Sequence, residues 1–268
     1  MSLPTTETLQ LREEGFVLHI TLNRPDSRNA MSWQMTQELR AVFSAIENNE
    51  SLRAVVLRGA GGHFCAGGDI KDMAGARMQA ASGNNEAYAE LNRAFGHLIT
   101  QVNHAPQVVI AVLEGAVLGG GFGLACVSDV AITLEEAKFG LPETSLGIIP
   151  AQIAPFVVQR VGLTQARRLA LLGIRFNGAE AARLGIAHQV VTDTTALEAA
   201  LSDTLAQIKK CAPQANRHTK ALLHRVGHEP LEGLLDDAAE QFARAVASTE
   251  GSEGTLAFVQ KRPAAWAE

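Results

Sequence analysis

One three-part layout occurs twice in this sequence and constrains the fold more than any other feature. The first copy is "AVVLRGAGGHFCAGGDIKDM", residues 54–73, and the second is "VIAVLEGAVLGGGFGLACVSD", residues 109–129. Each runs from an apolar, β-branched strand through a glycine-rich loop to the start of a helix. The first turn of a helix carries N–H groups with no internal partner, and the helix dipole adds partial positive charge there. Glycine lets another group approach that backbone closely. A single loop of this kind is a tight turn or an anion site. Two aimed at one point would form a pair of donors for an oxyanion. Neither loop carries GxxxxGK[ST] or GxGxxG, so the nucleotide-binding reading is weak.

Strands and helices alternate up to about Leu197, after which the chain reads as helical. That pattern predicts an α/β domain at residues 1–197 and a helical region at 198–268. "FVLHITLNRP" reads as a strand, and "DVAITLEEAKFG" as another. "SWQMTQELRAVFSAIENN" has helical spacing, with Ser32 as N-cap. "LTQARRLALLG" reads as a helix capped by Thr164 and stopped by Gly173. The chain has 268 residues, 47% of them hydrophobic, which suffices for a sizeable core. The longest apolar stretch, Val108 to Val127, is broken by Glu114 and glycines, so no membrane span is expected. The N-terminus lacks the pattern of a signal peptide, and the expected location is cytoplasmic. Cys65, Cys126 and Cys211 have no metal-like spacing and read as buried free thiols. A net charge of -5 argues against nucleic-acid binding.

The segments "HFCAGGDIKDM", "GAVLGGGFGLACVSDVAI" and "AKFGLPETSLGIIP" resemble the signature of the crotonase, or enoyl-CoA hydratase/isomerase, family. "ITLNRPDSRNAM" near the start and "EGTLAFVQKRPAAW" near the end extend the resemblance over nearly the whole chain. It implies a spiral of ββα units followed by C-terminal helices that pack on a neighbouring subunit in a homotrimer or dimer of trimers. The ligand would be an acyl-CoA thioester, with CoA entering as part of the substrate and no metal or redox cofactor. The thioester oxygen would lie between the backbone N–H groups of Gly68 and Gly120. CoA contacts would fall on Ser27, Arg28, Ala66, Gly68, Ile70 and Lys71, and on Lys261 from the tail. Lys71 and Lys261 would meet the phosphates as point charges.

Hydratases of this family carry one glutamate in a "GGGxELA" pattern and a second in a "PE" pattern. Here the first reads "GGGFGLA", so Gly123 stands at that position, while Glu143 in "GLPETSLG" keeps the second. One carboxylate suits a double-bond isomerase, which removes a proton and returns it elsewhere. It suits a hydratase if the same group activates water and then protonates the α-carbon. After "GIIP" this chain has "AQIAPFVVQRVG" where most relatives have a glycine-rich run. That departure resembles the branch of hydratases acting on 3-substituted glutaconyl-CoA thioesters. The expectation is therefore an enoyl-CoA hydratase using Glu143, with an isomerase as the alternative. A non-catalytic CoA- or RNA-binding relative is a third reading.

Outside the resemblance, Glu143 after a proline is equally a first-turn helix residue. His63 reads as a loop-surface side chain, His224 and His228 as a surface i, i+4 pair, and Asp129 as a turn or cap. A substrate with a free carboxylate needs a cationic or amide partner, for which Gln152, Arg160 and Arg168 are candidates.

Overall fold

The computed structural model describes residues 3–268. Strands β1 (Leu9–Glu14) and β2 (Val17–Leu22) form a hairpin over Gly15, whose φ of 57° suits a residue without Cβ. The first strand was not expected: "LQLREE" is charged and mostly exposed, with none of the clean alternation that marks a half-buried strand. Helix α1 (Trp33–Ile46) follows, and the Ser32 hydroxyl accepts the Met35 N–H at 3.1 Å, the expected N-cap. Its buried Met35, Leu39, Val42 and Ile46 recur at helical spacing. Next come β3 (Ala54–Gly59), α2 (Ile70–Ala81), α3 (Ala87–His104), β4 (Val108–Leu113), β5 (Ala116–Leu118) and α4 (Gly120–Val127). The remainder of the spiral is β6 (Val130–Leu134), β7 (Lys138–Gly140), α5 (Ala154–Leu172), β8 (Arg175–Phe176), α6 (Gly178–Arg183) and β9 (Gln189–Val191). Helices α7 (Thr194–Lys210), α8 (Pro213–Arg225), α9 (Leu231–Ala247) and α10 (Thr249–Gln260) close the chain.

Two sheets result. The larger has the order β1-β2-β3-β4-β6-β9, parallel from β2 onward. The smaller has the order β5-β7-β8. Consecutive strands such as β4 and β5, or β6 and β7, therefore enter different sheets before the chain turns into a helix. "DVAITLEEAKFG" is two strands rather than one. The exposed Glu135 and Glu136 mark the turn between them, and the Lys138 N–H crosses to the Gly115 carbonyl.

Helix α4 is buried from Gly121 to Val127. Its glycines serve packing as well as approach. A Cβ on Gly121 would lie 2.6 Å from the Cys65 carbonyl oxygen, so the two glycine loops can touch only because residue 121 has no side chain. Phe122 stands edge-on to Phe139 and Phe176, joining α4 to the small sheet.

Helix α5 starts at Ala154, not beside Thr164. "AQIAPFVVQRVG" supplies its first half, and the chain kinks at Gly162, with φ 75° and ψ 158°. Pro155 sits in the first turn, where its missing N–H leaves nothing unpaired. Asp129 accepts the Val109 N–H at 2.7 Å and pairs with Lys220 at 2.6 Å, docking α8 onto the sheet end. Cys65 and Cys126 are buried, and burial pushes their thiols up to about 11 and about 12. Cys211 departs from the expectation: it follows the last turn of α7 and is exposed. Among the described residues, no helix is long and apolar enough to cross a membrane.

Candidate active site

The first glycine loop is fixed by the chain that precedes α1. The Ala66 N–H donates to Arg28 O at 3.0 Å, the Met31 N–H to Gly67 O at 2.7 Å, and the Asp69 N–H to Met31 O at 3.0 Å. Asn29 is fully buried and staples the same region, accepting the Arg24 N–H and donating to Ala60 O and His63 O. Gly67 has φ 102° and passes 3.4 Å, measured at its Cβ position, from the Leu118 carbonyl oxygen. Asp69 caps α2 by accepting the Lys71 N–H at 2.8 Å, and its other oxygen pairs with the Arg24 guanidinium at 2.6 Å. Burial works to raise the Asp69 carboxyl, but the Lys71 N–H and Arg24 outweigh it and hold it below the usual carboxylate range. Asp69 is thus a fixed anion and a poor proton donor. Between these bonds the Gly68 N–H has no acceptor in the described chain.

The second loop brings up Gly120 as the first residue of α4. Gly119 before it adopts φ 51° and ψ −116°, a conformation that requires glycine. The Gly120 N–H belongs to the open first turn and likewise has no acceptor within the described chain. The Phe95 ring packs over this residue, 3.2 Å from its Cβ position. His63 is half-buried rather than on the surface. Its Nδ1 accepts the Ala116 N–H at 3.1 Å and so ties the two loops together.

Glu143 opens a short 3-10 helix, Glu143–Leu146, ended by Gly147 in the left-handed region. Thr144 anchors that turn by donating to Ala170 O at 2.7 Å, and Ser145 donates to Pro142 O at 2.6 Å. The Glu143 carboxylate lies against Gly119, its Oε1 3.0 Å from that residue's Cβ position. Its Oε2 is buried and has no hydrogen-bond partner. Burial pushes the Glu143 carboxyl above its ordinary value of 4.5.

Gly68, Gly120 and Glu143 line one cavity of about 550 Å3. Its wall is mostly apolar, with Met31, Trp33, Met73, Phe95, Ile149 and Ile153. Two residues with unpaired backbone donors and one with an unpaired carboxylate oxygen therefore line the same mostly apolar cavity. Such a set can hold a developing oxyanion and move a proton beside it.

The other expected contacts are arranged as follows. Arg28 and Ala66 are bonded to each other at the loop junction, and Ser27 donates to Arg24 O. Ile70 and Lys71 begin α2, with Ile70 exposed. Lys261 ends α10 in the left-handed region. None of Ser27, Arg28, Ala66, Ile70, Lys71 and Lys261 lines the cavity itself. Of the candidates for a distal carboxylate, Gln152 lines it. Arg160 does not: its guanidinium donates to Ser128 O and Ile186 O. Arg168 is also elsewhere, paired with Glu180. His224 lies against His104 at a ring separation of 4.6 Å, away from any metal-like set.

A family model described as enoyl-CoA hydratase/isomerase matches residues 12–268. The chain belongs to this family. A solved structure of Pseudomonas aeruginosa AtuE is 64% identical, with TM-score 0.95, covering 98% of this chain and 100% of that one. An enoyl-CoA hydratase/isomerase from Marinobacter aquaeolei is 64% identical, with TM-score 0.94, covering 97% and 99%. A peroxisomal Delta(3,5)-Delta(2,4)-dienoyl-CoA isomerase from Arabidopsis thaliana is 30% identical over 97% of this chain and 96% of its own.

For a member of the enoyl-CoA hydratase/isomerase family, the surroundings of Gly123 are informative. A Cβ there would collide with Ile153 Cγ2 and lie 3.0 Å from Ile99 Cδ1. The place of a side chain at 123 is filled by Ile153, which comes from the segment where this chain departs from the glycine-rich run. Gly123 and the isoleucine that occupies the space beside it form one packing unit.

The unpaired carboxylate also carries a pH signature. Its folded-state pKa lies above the unfolded value, so the charged form is disfavoured in the fold. That penalty is absent well below 4.5, where both states are protonated, and is complete above the raised folded value. Glu143→Gln is therefore expected to gain stability near pH 7 and none at about pH 3. Urea denaturation of both proteins at the two pH values measures it. An equal change at both would mean that the carboxylate is not strained in the fold.

Proposed function

We propose that this chain hydrates 3-branched glutaconyl-CoA thioesters, with 3-methylglutaconyl-CoA and isohexenylglutaconyl-CoA as the substrates to test. The observation that carries the reading is the unpaired Glu143 carboxylate sharing a cavity with the free N–H groups of Gly68 and Gly120. Glu143 takes a proton from water as the water oxygen bonds to C3. The double-bond electrons move toward the thioester oxygen, where the two N–H groups hold the developing charge. The same carboxyl then delivers its proton to C2, and the thioester carbonyl re-forms. One carboxylate thus serves as base and then acid, and the raised pKa brings it closer to the working pH for both. Lys71 and Lys261 are assigned to the CoA phosphates, Lys261 from a neighbouring subunit of a trimer or hexamer. The exposed Leu231, Leu235, Phe242 and Phe258 on the last helices support such packing.

A second reading, double-bond isomerisation, is favoured by the isoleucine-filled space at Gly123, which leaves a single carboxylate in that part of the site. Incubation with 3-methylglutaconyl-CoA, followed by mass spectrometry, distinguishes the two. The expected product is heavier by one water and is absent with Glu143→Gln. Unchanged mass with a changed ultraviolet spectrum would replace hydration by isomerisation. The ratio of kcat/KM for the two thioesters then ranks the acyl tail, and the apolar volume favours the longer one.

A further inference from the structure

We infer that Asn92 and Gln152, the latter oriented by Arg93, form the subsite that holds the distal carboxylate of the acyl chain. The inference rests on the glutaconyl reading of the substrate and names the group that recognises it.

No lysine or arginine lines the cavity among the described residues, while Asp69, Asp72 and Glu143 do. Asp69 is paired with Arg24, but Asp72 and Glu143 have no cationic partner among the described residues and repel a second carboxylate on the substrate. It needs a wall that offers donors, and one wall does so. The Arg93 guanidinium donates to Gln152 Oε1 at 3.2 Å, and Gln152 Nε2 donates to Asn92 Oδ1 at 2.9 Å. The order of these bonds fixes the amides. A guanidinium can only donate, so the oxygen of Gln152 faces Arg93 and its nitrogen faces Asn92. Asn92 must then accept through its oxygen. Each amide oxygen of the pair already accepts one bond from within. The two N–H groups of Asn92 and the second N–H of Gln152 have no acceptor in the described chain. The wall thus presents free N–H groups, with the exposed Arg93 guanidinium bonded behind them to orient the Gln152 amide.

The surroundings fit this use. Tyr88 lies one turn before Asn92 on α3, and both line the cavity, so a phenol hydroxyl stands on the same helix face. Gly96 makes room for the arrangement. A Cβ there would collide with Gln152 Oε1 and lie 2.6 Å from an Arg93 guanidinium nitrogen. Amides and a phenol are too weakly basic to activate water, so this cluster does not stand in for a second glutamate.

The test reads binding, so that it does not depend on the reaction. The probes are saturated 3-methylglutaryl-CoA and its distal methyl ester, measured by calorimetry on the intact protein. The wild type is expected to hold the acid about tenfold to hundredfold tighter than the ester, the range for hydrogen bonds to a charged group. Asn92→Leu should remove that preference. Gly96→Ala should do the same by a different route, displacing the Gln152 amide and Arg93 while placing a better helix former in α3. Asn92→Asp should reverse it. Equal binding of acid and ester by the wild type would overturn the subsite, as would variants that weaken both ligands alike. Turnover of 3-methylglutaconyl-CoA is scored separately. Equal binding by the wild type with hydration intact removes the subsite alone. Preference for the acid without hydration leaves the subsite and removes the proposed reaction.

Discussion

Glu143→Gln is expected to lower kcat on the preferred thioester by on the order of 10²–10⁴-fold, the usual share of a positioned acid–base group. The amide has nearly the size of the carboxylate, so the cavity and the two N–H donors should be unchanged, and the affinity for thioester should stay within about a factor of three. The separation of kcat from binding is the point of the measurement. Glu143 Oε2 makes no hydrogen bond and supports no neighbouring backbone. Its loss therefore removes proton transfer without loosening the turn, which Thr144, Ser145 and Gly147 hold independently. The acidic limb of kcat/KM in the wild type should lie above the ordinary glutamate value, because activity needs the carboxylate and burial favours the acid. A variant with full kcat would take Glu143 out of the proton path, and a limb at the ordinary value would mean that burial does not raise its carboxyl.

What the sequence made legible follows from how local the signal was. Helix α1 carried its own cap and its own period, and Ser32 and the buried Met35, Leu39, Val42 and Ile46 lie where the spacing puts them. The two glycine loops were readable as helix starts because glycine runs are local too. Strand β1 was missed because its evidence lies in its partner: only pairing with β2 makes a charged segment a strand. The break between β6 and β7 had a signal, two adjacent glutamates, that a single apolar run concealed. Within the site, Glu143 and the glycines stood out from their motifs and Gln152 was one of three candidates for a distal carboxylate, but Asn92 did not stand out. Asn92 and Gln152 are 60 positions apart, and their pairing is not visible until the turn before α5 meets α3. Cys211 was misplaced by composition, since a helix end can expose a residue that ordinarily prefers the core.

Restoring the absent glutamate should fail, and the manner of failure tests the packing account. In Gly123→Glu the new Cβ collides with Ile153 Cγ2, and the rest of the side chain has Ile99 beside it. Overpacking a core costs about 1–3 kcal/mol, and a carboxylate forced into apolar surroundings adds more. The expected loss is about 4 kcal/mol or more, roughly 10 °C in Tm for a chain of this size. The single variant should gain no hydration of an unbranched enoyl-CoA, because its carboxylate has no room to reach the cavity. Adding Ile153→Ala removes the colliding methyl and should recover most of the stability. The two substitutions would then be strongly non-additive, as expected of residues in contact. In the double variant the carboxylate enters a cavity that Ile153 already lines. A second unpaired carboxylate beside Glu143 should raise activity on unbranched enoyl-CoA and lower it on the branched glutaconyl substrate, which must now face one more negative charge. If Gly123→Glu folds as well as the wild type, the isoleucine is not what excludes the glutamate. The reason for a one-carboxylate site would then have to be sought in the chemistry of the branched substrate alone.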